Sequence, residues 1–204
     1  MTRRTHESLP MTLFLIVASV LLAPATVLAH NPAGAAGGFA SGFMHPLTGI
    51  DHILAMVAVG IWGAQLGAPA IWALPVAFPL VMSVGGAMGV RGVPLPGVEV
   101  GIDASALLLG LMIFSEARPS LVAAALLVGF FAIFHGYAHG TELPRAANPL
   151  AYGLGFVLAT GSLHVSGIAL GLIHRWPSGA RVLRLAGGAI SLAGLFLLVT
   201  TLRD

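Results

Sequence analysis

The stretch His45-Pro-Leu-Thr-Gly-Ile-Asp51-His52 opens an apolar run that continues to Gly67. The run is long enough to cross a lipid bilayer, since each span needs about 20 residues. The stretch therefore places two imidazoles and a carboxylate where hydrocarbon is expected. Charged groups there cost about 2.5–3.5 kcal/mol each on insertion scales, so their presence indicates a functional site within a membrane protein.

The composition of the chain supports this interpretation. Of the 204 residues, 57% are hydrophobic and 8% are charged, whereas average globular chains carry roughly 25% charged residues. The chain has no cysteine, which excludes disulfides, thiolate metal ligands and cysteine nucleophiles. All nine basic residues are arginines, and they are scattered. Their positions indicate which loops face the cytoplasm, and no nucleic-acid partner is expected.

The first 29 residues predict a secretory signal peptide. Arg3 and Arg4 form its basic region, residues 11–23 its apolar core, and Val27-Leu-Ala29 a cleavage site of the small-x-small type. The alternative is an uncleaved first helix. The predicted division is a signal peptide at 1–29 and a six-helix transmembrane domain at 30–204, with residues 31–42 forming a short exterior segment.

Cleavage after Ala29 predicts that the mature chain begins at His30. N-terminal sequencing of the protein purified from membranes should therefore read from His30, because the signal peptidase cuts after the small residue. A product that starts at Met1 or Thr2 would contradict the prediction and favour the uncleaved helix.

The remaining apolar runs predict an all-α membrane protein, a bundle of six transmembrane helices. The predicted helices cover 46–66, 70–90, 98–115, 119–140, 149–173 and 180–202. Four pairs of glycines at small-xxx-small spacing allow close packing of helices and also offer faces for a homo-oligomer. These pairs are Gly63/Gly67, Gly85/Gly89, Gly136/Gly140 and Gly167/Gly171.

Two cues agree on the orientation. A signal peptide delivers residue 30 to the outside, and the cluster Arg175, Arg181 and Arg184 between the last two helices is expected in the cytoplasm. Both cues place the start of the first helix outside. The expected location is the bacterial inner membrane, with several spans and the mature N-terminus outside.

With this orientation, three helices bring ionisable groups to the outer leaflet. On the fourth helix, His135, His139 and Glu142 stand at i, i+4 and i+7 and form one stripe, and a histidine pair four residues apart can chelate one ion. The groups are His45, Asp51 and His52 on the first helix, Glu99 and Asp103 on the third, and His135, His139 and Glu142 on the fourth.

Two histidines raise separate questions. His45 and His52 are about 10 Å apart along a helix axis, so one ion can bind both only if the chain before Pro46 folds back. His164 lies about fifteen residues into the fifth helix, where it is either a deeper metal or proton step or an interhelical hydrogen bond. All of these ionisable residues could instead form a buried polar network that only stabilises helix packing. The number of ionisable groups at one leaflet favours a metal site.

Two motifs contain most of these residues, namely His45-Pro-Leu-Thr-Gly-Ile-Asp-His-Ile-Leu-Ala-Met-Val-Ala-Val-Gly60 and Phe134-His-Gly-Tyr-Ala-His-Gly-Thr-Glu142. They resemble the hallmarks of the HupE/UreJ family, hydrogenase and urease accessory membrane proteins regarded as nickel permeases. The resemblance extends through Pro94-Leu-Pro-Gly-Val-Glu99 and Gly155-Phe-Val-Leu-Ala-Thr160 into the last helix. It implies functional roles for His45, Asp51, His52, Glu99, His135, His139 and Glu142, whereas Asp103 is not associated with the family.

The expected function is therefore a membrane permease that moves a divalent transition metal into the cell for hydrogenase or urease maturation. Ni²⁺ or Co²⁺ would be the transported substrate, with the lipid bilayer as the other partner and no prosthetic group. Histidine and carboxylate ligands do not separate nickel from cobalt or zinc, so the choice of nickel comes from the resemblance. The chain has no lysine for a Walker-type loop, and we expect no enzyme activity.

Two alternatives remain open. The pair His135 and His139, with another histidine, an aspartate and serines, could hold zinc and a water in an intramembrane hydrolase. A hydrolase should keep three ligands around one open position, whereas a permease should spread its ligands along a path. The third reading is an accessory subunit that delivers metal to a partner without transport.

Overall fold

The structure is a computed structural model that describes residues 37–143 and 148–204. Within these residues the elements are all helical, so the predicted all-α class is confirmed. The α-helices are α1 (Gly37–Met44), α2 (Ile50–Leu66), α3 (Ala70–Val90), α4 (Val98–Phe114), α5 (Leu121–Thr141), α6 (Pro149–Gly171) and α7 (Pro177–Thr201), with 3-10 turns at His45–Leu47 and Leu172–Arg175.

Helices α2 to α7 lie at the six predicted places, within a few residues at each end. Local capping explains two of the starts. The side-chain oxygen of Asn148 accepts hydrogen bonds from the N–H groups of Leu150 and Ala151, with Pro149 in the first turn. Ser120 caps α5 in the same way, so this helix begins two residues after the predicted start at 119.

The segment predicted as exterior, residues 31–42, is described only from residue 37 onward, and its position relative to the membrane stays a prediction. Residues 37–44 form α1, which packs against α6. Close contact is feasible because a Cβ on Gly42 would overlap the backbone of Tyr152, and one on Gly155 would overlap the carbonyl of Phe39. The predicted signal peptide and His30 lie outside the described residues.

By length and composition, four of the described helices can cross a membrane, namely α3, α5, α6 with the turn that follows it, and α7. A fifth span arises if α1, its 3-10 turn and α2 are taken together, although the two parts are bent by 78°. Helices α2 and α4 have 17 residues each, or about 25 Å at 1.5 Å per residue, against a hydrocarbon core of about 30 Å. The count of six spans stays a prediction.

Glycines bring the helices together in pairs. In the contact between α2 and α6, a Cβ on Gly60 would overlap the carbonyl of His164, and one on Gly167 would overlap that of Val57. Helices α3 and α5 meet in the same way through Gly85, Gly89, Gly136 and Gly140, and α4 and α7 through Gly110 and Gly194. Most of the predicted small-xxx-small glycines are thus used inside the chain, and the homo-oligomer stays a prediction.

The side chains are arranged as in a multi-pass membrane protein. Large apolar residues are exposed on the outside of the bundle, among them Trp72, Leu80, Leu126, Leu150 and Leu185. The buried polar residues of the described chain include four histidines. Because lipid accepts apolar surface and penalises polar groups, such histidines mark the interior as the place where function is to be sought.

Candidate metal centre

Most of the predicted site residues gather at the end of the bundle where α2 and α4 begin and α5 ends, which we call the ligand end. A cleft of about 320 Å³ opens there. It is lined by Thr48, Gly49, Ile102 and Ala138 and by six of the predicted residues, namely His45, Asp51, His52, Glu99, His139 and Glu142. The convergence expected from helix direction alone is therefore present in the structure.

The outermost group in this cleft consists of His45, His139 and Glu142. One ligand atom from each lies within 4.8 Å of the other two. His45 Nε2 is 2.9 Å from a carboxylate oxygen of Glu142, and His139 Nδ1 is 4.0 Å from the same oxygen. Two imidazoles and a carboxylate suit a borderline divalent metal such as nickel, cobalt or zinc.

The fold-back of the chain before Pro46 makes this group possible. The 3-10 turn at His45–Leu47 and the bend into α2 bring the His45 ring beside that of His139, with 4.7 Å between ring centroids. The ring of His52 lies 4.5 Å from the same His139 ring. His139 thus stands between two histidines that an uninterrupted helix would hold about 10 Å apart.

Asp51 and His52 form the next step inward. One carboxylate oxygen of Asp51 accepts the backbone N–H of His52 at 2.8 Å and lies 2.9 Å from its Nδ1. The carboxylate therefore orients this imidazole, in the way that outer carboxylates orient metal-binding histidines. Nε2 of His52 is buried and has no hydrogen-bond partner.

His135 lies deeper and is fully buried. Its ring meets that of His52 edge-on, with centroids 4.8 Å apart. Its Nε2 is 2.9 Å from the hydroxyl of Ser105 on α4, and its Nδ1 has no partner.

The two acidic residues of α4, Glu99 and Asp103, lie in different surroundings. Glu99 is exposed and lines the cleft. Asp103 is buried, does not line the cleft, and accepts a hydrogen bond of 2.7 Å from the hydroxyl of Thr201 near the end of α7. Asp103, which the resemblance does not include among the functional residues, thus ties α4 to α7.

His164 stands apart from the cluster. It is buried on α6, and Phe78 of α3 lies between it and His135, with ring centroids 5.4 Å and 5.5 Å away respectively. The carbonyl of Pro75 interacts with His164, although neither ring nitrogen reaches hydrogen-bond geometry. Pro79 has no N–H, so this carbonyl lacks its usual partner within the helix.

The rings thus form a row, called here the histidine row: His45, His139, His52 and His135, followed beyond Phe78 by His164. The side chain of His45 is 27% exposed, those of His139 and His52 are 7% and 11% exposed, and His135 is fully buried. Both ring nitrogens of His139 and His164 are buried without a hydrogen-bond partner. In each neutral ring one of these nitrogens keeps a lone pair that can bind a metal.

Four further residues at this site were not predicted from the sequence. Ser105 and Phe78 are described above, and Tyr152 and Phe156 of α6 flank the outer rings, with Phe156 4.3 Å from His139 between centroids. Usable signals existed: Phe78 lies between two prolines, Tyr152 and Phe156 are one helical turn apart, and Ser105 is a lone hydroxyl among apolar residues.

Known proteins resemble this chain over most of its length. The model of the family described as HupE / UreJ protein matches residues 17–197. The chain belongs to the HupE/UreJ family. Protein HupE of Rhizobium leguminosarum bv. viciae is 46% identical over 173 residues, which cover 84% of this chain and 91% of that protein. No solved structure matches the chain significantly.

Proposed function

We propose that this HupE/UreJ protein is a membrane permease that carries a divalent transition metal, nickel, into the cell for hydrogenase or urease maturation. The observation that carries the proposal is the histidine row, in which buried imidazole nitrogens without partners lead from an open cleft into the bundle. Nitrogen and oxygen ligands suit the metal, and the choice of nickel follows the family.

We infer the order of the transport steps from the positions of these residues. The ion is captured at His45, His139 and Glu142, where two side chains are still partly exposed and water can leave gradually. Successive rings 4.5–4.8 Å apart then offer nitrogens toward His135. Conduction needs binding that is firm enough for entry and weak enough for exit, and a row of neutral ligands shared between neighbours meets that need.

One observation favours the zinc hydrolase as the second candidate. His45, His139 and Glu142 make a two-histidine, one-glutamate set of the kind found in catalytic zinc sites. A hydrolase has no use for His52, His135 and His164 beyond that set, whereas a permease does. We therefore prefer the permease.

We further propose that the ligand end faces the outside of the cell, as the arginine cluster and the signal peptide predict. Single cysteines at Ala33, Ala146 and Ser178 test this, because the native chain has none. The first two should react with an impermeant thiol reagent added to intact cells, and Ser178→Cys should react only after lysis. The reverse labelling pattern would contradict an outward-facing site.

Uptake of radioactive nickel into cells, with and without the protein, tests the function. A permease should raise nickel accumulation and, when reconstituted in vesicles, should admit nickel without another protein. Metal binding without accumulation would favour the accessory subunit, and zinc-dependent hydrolysis without accumulation would favour the enzyme.

A further inference from the structure

Ser105 is a buried residue of α4 that the function above does not use. Its hydroxyl oxygen lies 2.6 Å from the carbonyl of Ile102 in the preceding turn and 2.9 Å from Nε2 of His135. Neither Ser105 nor His135 is exposed to solvent. The three groups therefore have to share hydrogens among themselves.

Counting hydrogens fixes the direction of both bonds. A serine hydroxyl has one hydrogen and two lone pairs, and a carbonyl can only accept. At 2.6 Å the hydroxyl must donate to Ile102, since two bare oxygens so close would repel each other. The oxygen of Ser105 then has only lone pairs left for His135, so Nε2–H of His135 donates to it.

This arrangement determines which nitrogen of His135 is free. A neutral imidazole carries one N–H, and the other nitrogen is an acceptor or a metal ligand. With the hydrogen on Nε2, Nδ1 keeps its lone pair, and Nδ1 is the buried atom without a partner.

The neighbouring ring is prepared in a similar way. The carboxylate of Asp51 accepts from Nδ1–H of His52, which leaves the lone pair of His52 on the buried, unpartnered Nε2. His52 and His135 lie side by side at 4.8 Å between centroids. Each of the two rings is thus oriented by one polar partner and keeps one nitrogen bare.

We propose that Ser105 is a positioning residue: it holds His135 in the Nε2–H tautomer and so presents Nδ1 as a metal ligand in the histidine row. The metal part of this inference rests on the proposed function, whereas the tautomer part does not. Partners that orient metal-binding histidines in this way typically contribute 10–100-fold to metal affinity.

The test compares Ser105→Ala, Ser105→Thr and the wild type, with Ser191→Ala as a matched control. Ser191 is also a buried helical serine, on α7. Nitrogen-15 NMR of histidine-labelled protein in detergent, without metal, reports the tautomer, and the signal of His135 is assigned by its loss in His135→Gln. Nickel binding to the same samples is measured by titration.

In the wild type and in Ser191→Ala, His135 should carry its hydrogen on Nε2. Ser105→Ala should give a mixture of tautomers and bind nickel about 10–100-fold more weakly, with a helical content equal to that of the wild type. Ser105→Thr keeps the hydroxyl and should restore both readouts. If the methyl group of threonine prevents folding, the comparison of Ser105→Ala with Ser191→Ala still shows whether Ser105 controls the tautomer of His135 and the nickel affinity.

The inference is overturned if His135 carries its hydrogen on Nδ1 in the wild type, or if Ser105→Ala leaves both tautomer and affinity unchanged. A wild type that neither binds nor accumulates nickel would instead overturn the proposed function. The NMR spectra of that same protein would still decide the role of Ser105, so the two failures are distinguishable.

Discussion

Replacing His139 by alanine should reduce nickel uptake to the level of cells that lack the protein. His139 is the ring between His45 and His52, at 4.7 and 4.5 Å between centroids, and it is shared by the outer cluster and the deeper row. Without it, no described imidazole joins those two histidines. Uptake into cells that contain equal amounts of protein in the membrane is the measurement.

The same substitution should leave the protein folded. Both ring nitrogens of His139 are buried without partners in the structure, and each such atom costs about 1–3 kcal/mol. Removing them offsets the loss of packing against Phe156. A histidine that served only helix packing would show the opposite result, lower stability with uptake in proportion to the folded protein.

His174→Ala is the control for this prediction. His174 lies in the 3-10 turn before α7, at the opposite end of the bundle, and its Nδ1 is 2.9 Å from the carbonyl of Gly171. We expect uptake to be unchanged. Normal uptake by His139→Ala would show that the proposed metal path is wrong.

The second prediction concerns helix packing. Gly167→Ala should lower the melting temperature, because the added Cβ would overlap the carbonyl of Val57 and force α6 away from α2. Overpacking of this kind costs about 1–3 kcal/mol or more. The shift also displaces His164, so uptake should fall as well.

Gly161→Ala, on the same helix, is the matched control, and its melting temperature should not fall. No other group lies within 4 Å of the position its Cβ would take, and alanine is favoured over glycine in a helix by about 1 kcal/mol. Its melting temperature should equal or exceed that of the wild type. Thermal unfolding in detergent compares the two variants, and equal melting temperatures would contradict the close contact of α2 and α6.

In the proposed permease, transport requires movement at a defined place. Phe78 is fully buried between His135 and His164, so the histidine row is interrupted there by an apolar ring. Toward the opposite end, Trp62, Ile113 and Leu183 are buried in the apolar core. A path to the cytoplasm must therefore open by displacement of side chains or of α3, whose prolines weaken its backbone hydrogen bonds next to Phe78.

The sequence by itself predicted the helices well, because each one is defined by local properties. Hydrophobic run length, proline and glycine positions and capping residues such as Asn148 all act within a few residues of the chain. The gathering of ligands at one end also followed from the sequence. Alternating helix direction places the start of α2 and the end of α5 at the same end of the bundle.

Other features depended on the three-dimensional packing. The stripe of His135, His139 and Glu142 was visible in the sequence, but the order of the histidine row was not, since it depends on how α1 folds back and on the depth at which α2 meets α5. Glu99 and Asp103 have the spacing of one helix face, yet the first lines the cleft and the second bonds to Thr201.

Ser105 and Phe78 show the reason most clearly. The local sequence around each residue does not say which partner it meets, and each matters through a contact with another helix, Ser105 with His135 and Phe78 with both His135 and His164. Local physics determines which residues form a helix and which of its ends is polar. Only the close approach of glycine-bearing helices decides which side chains meet, because that approach sets their depth and rotation relative to one another.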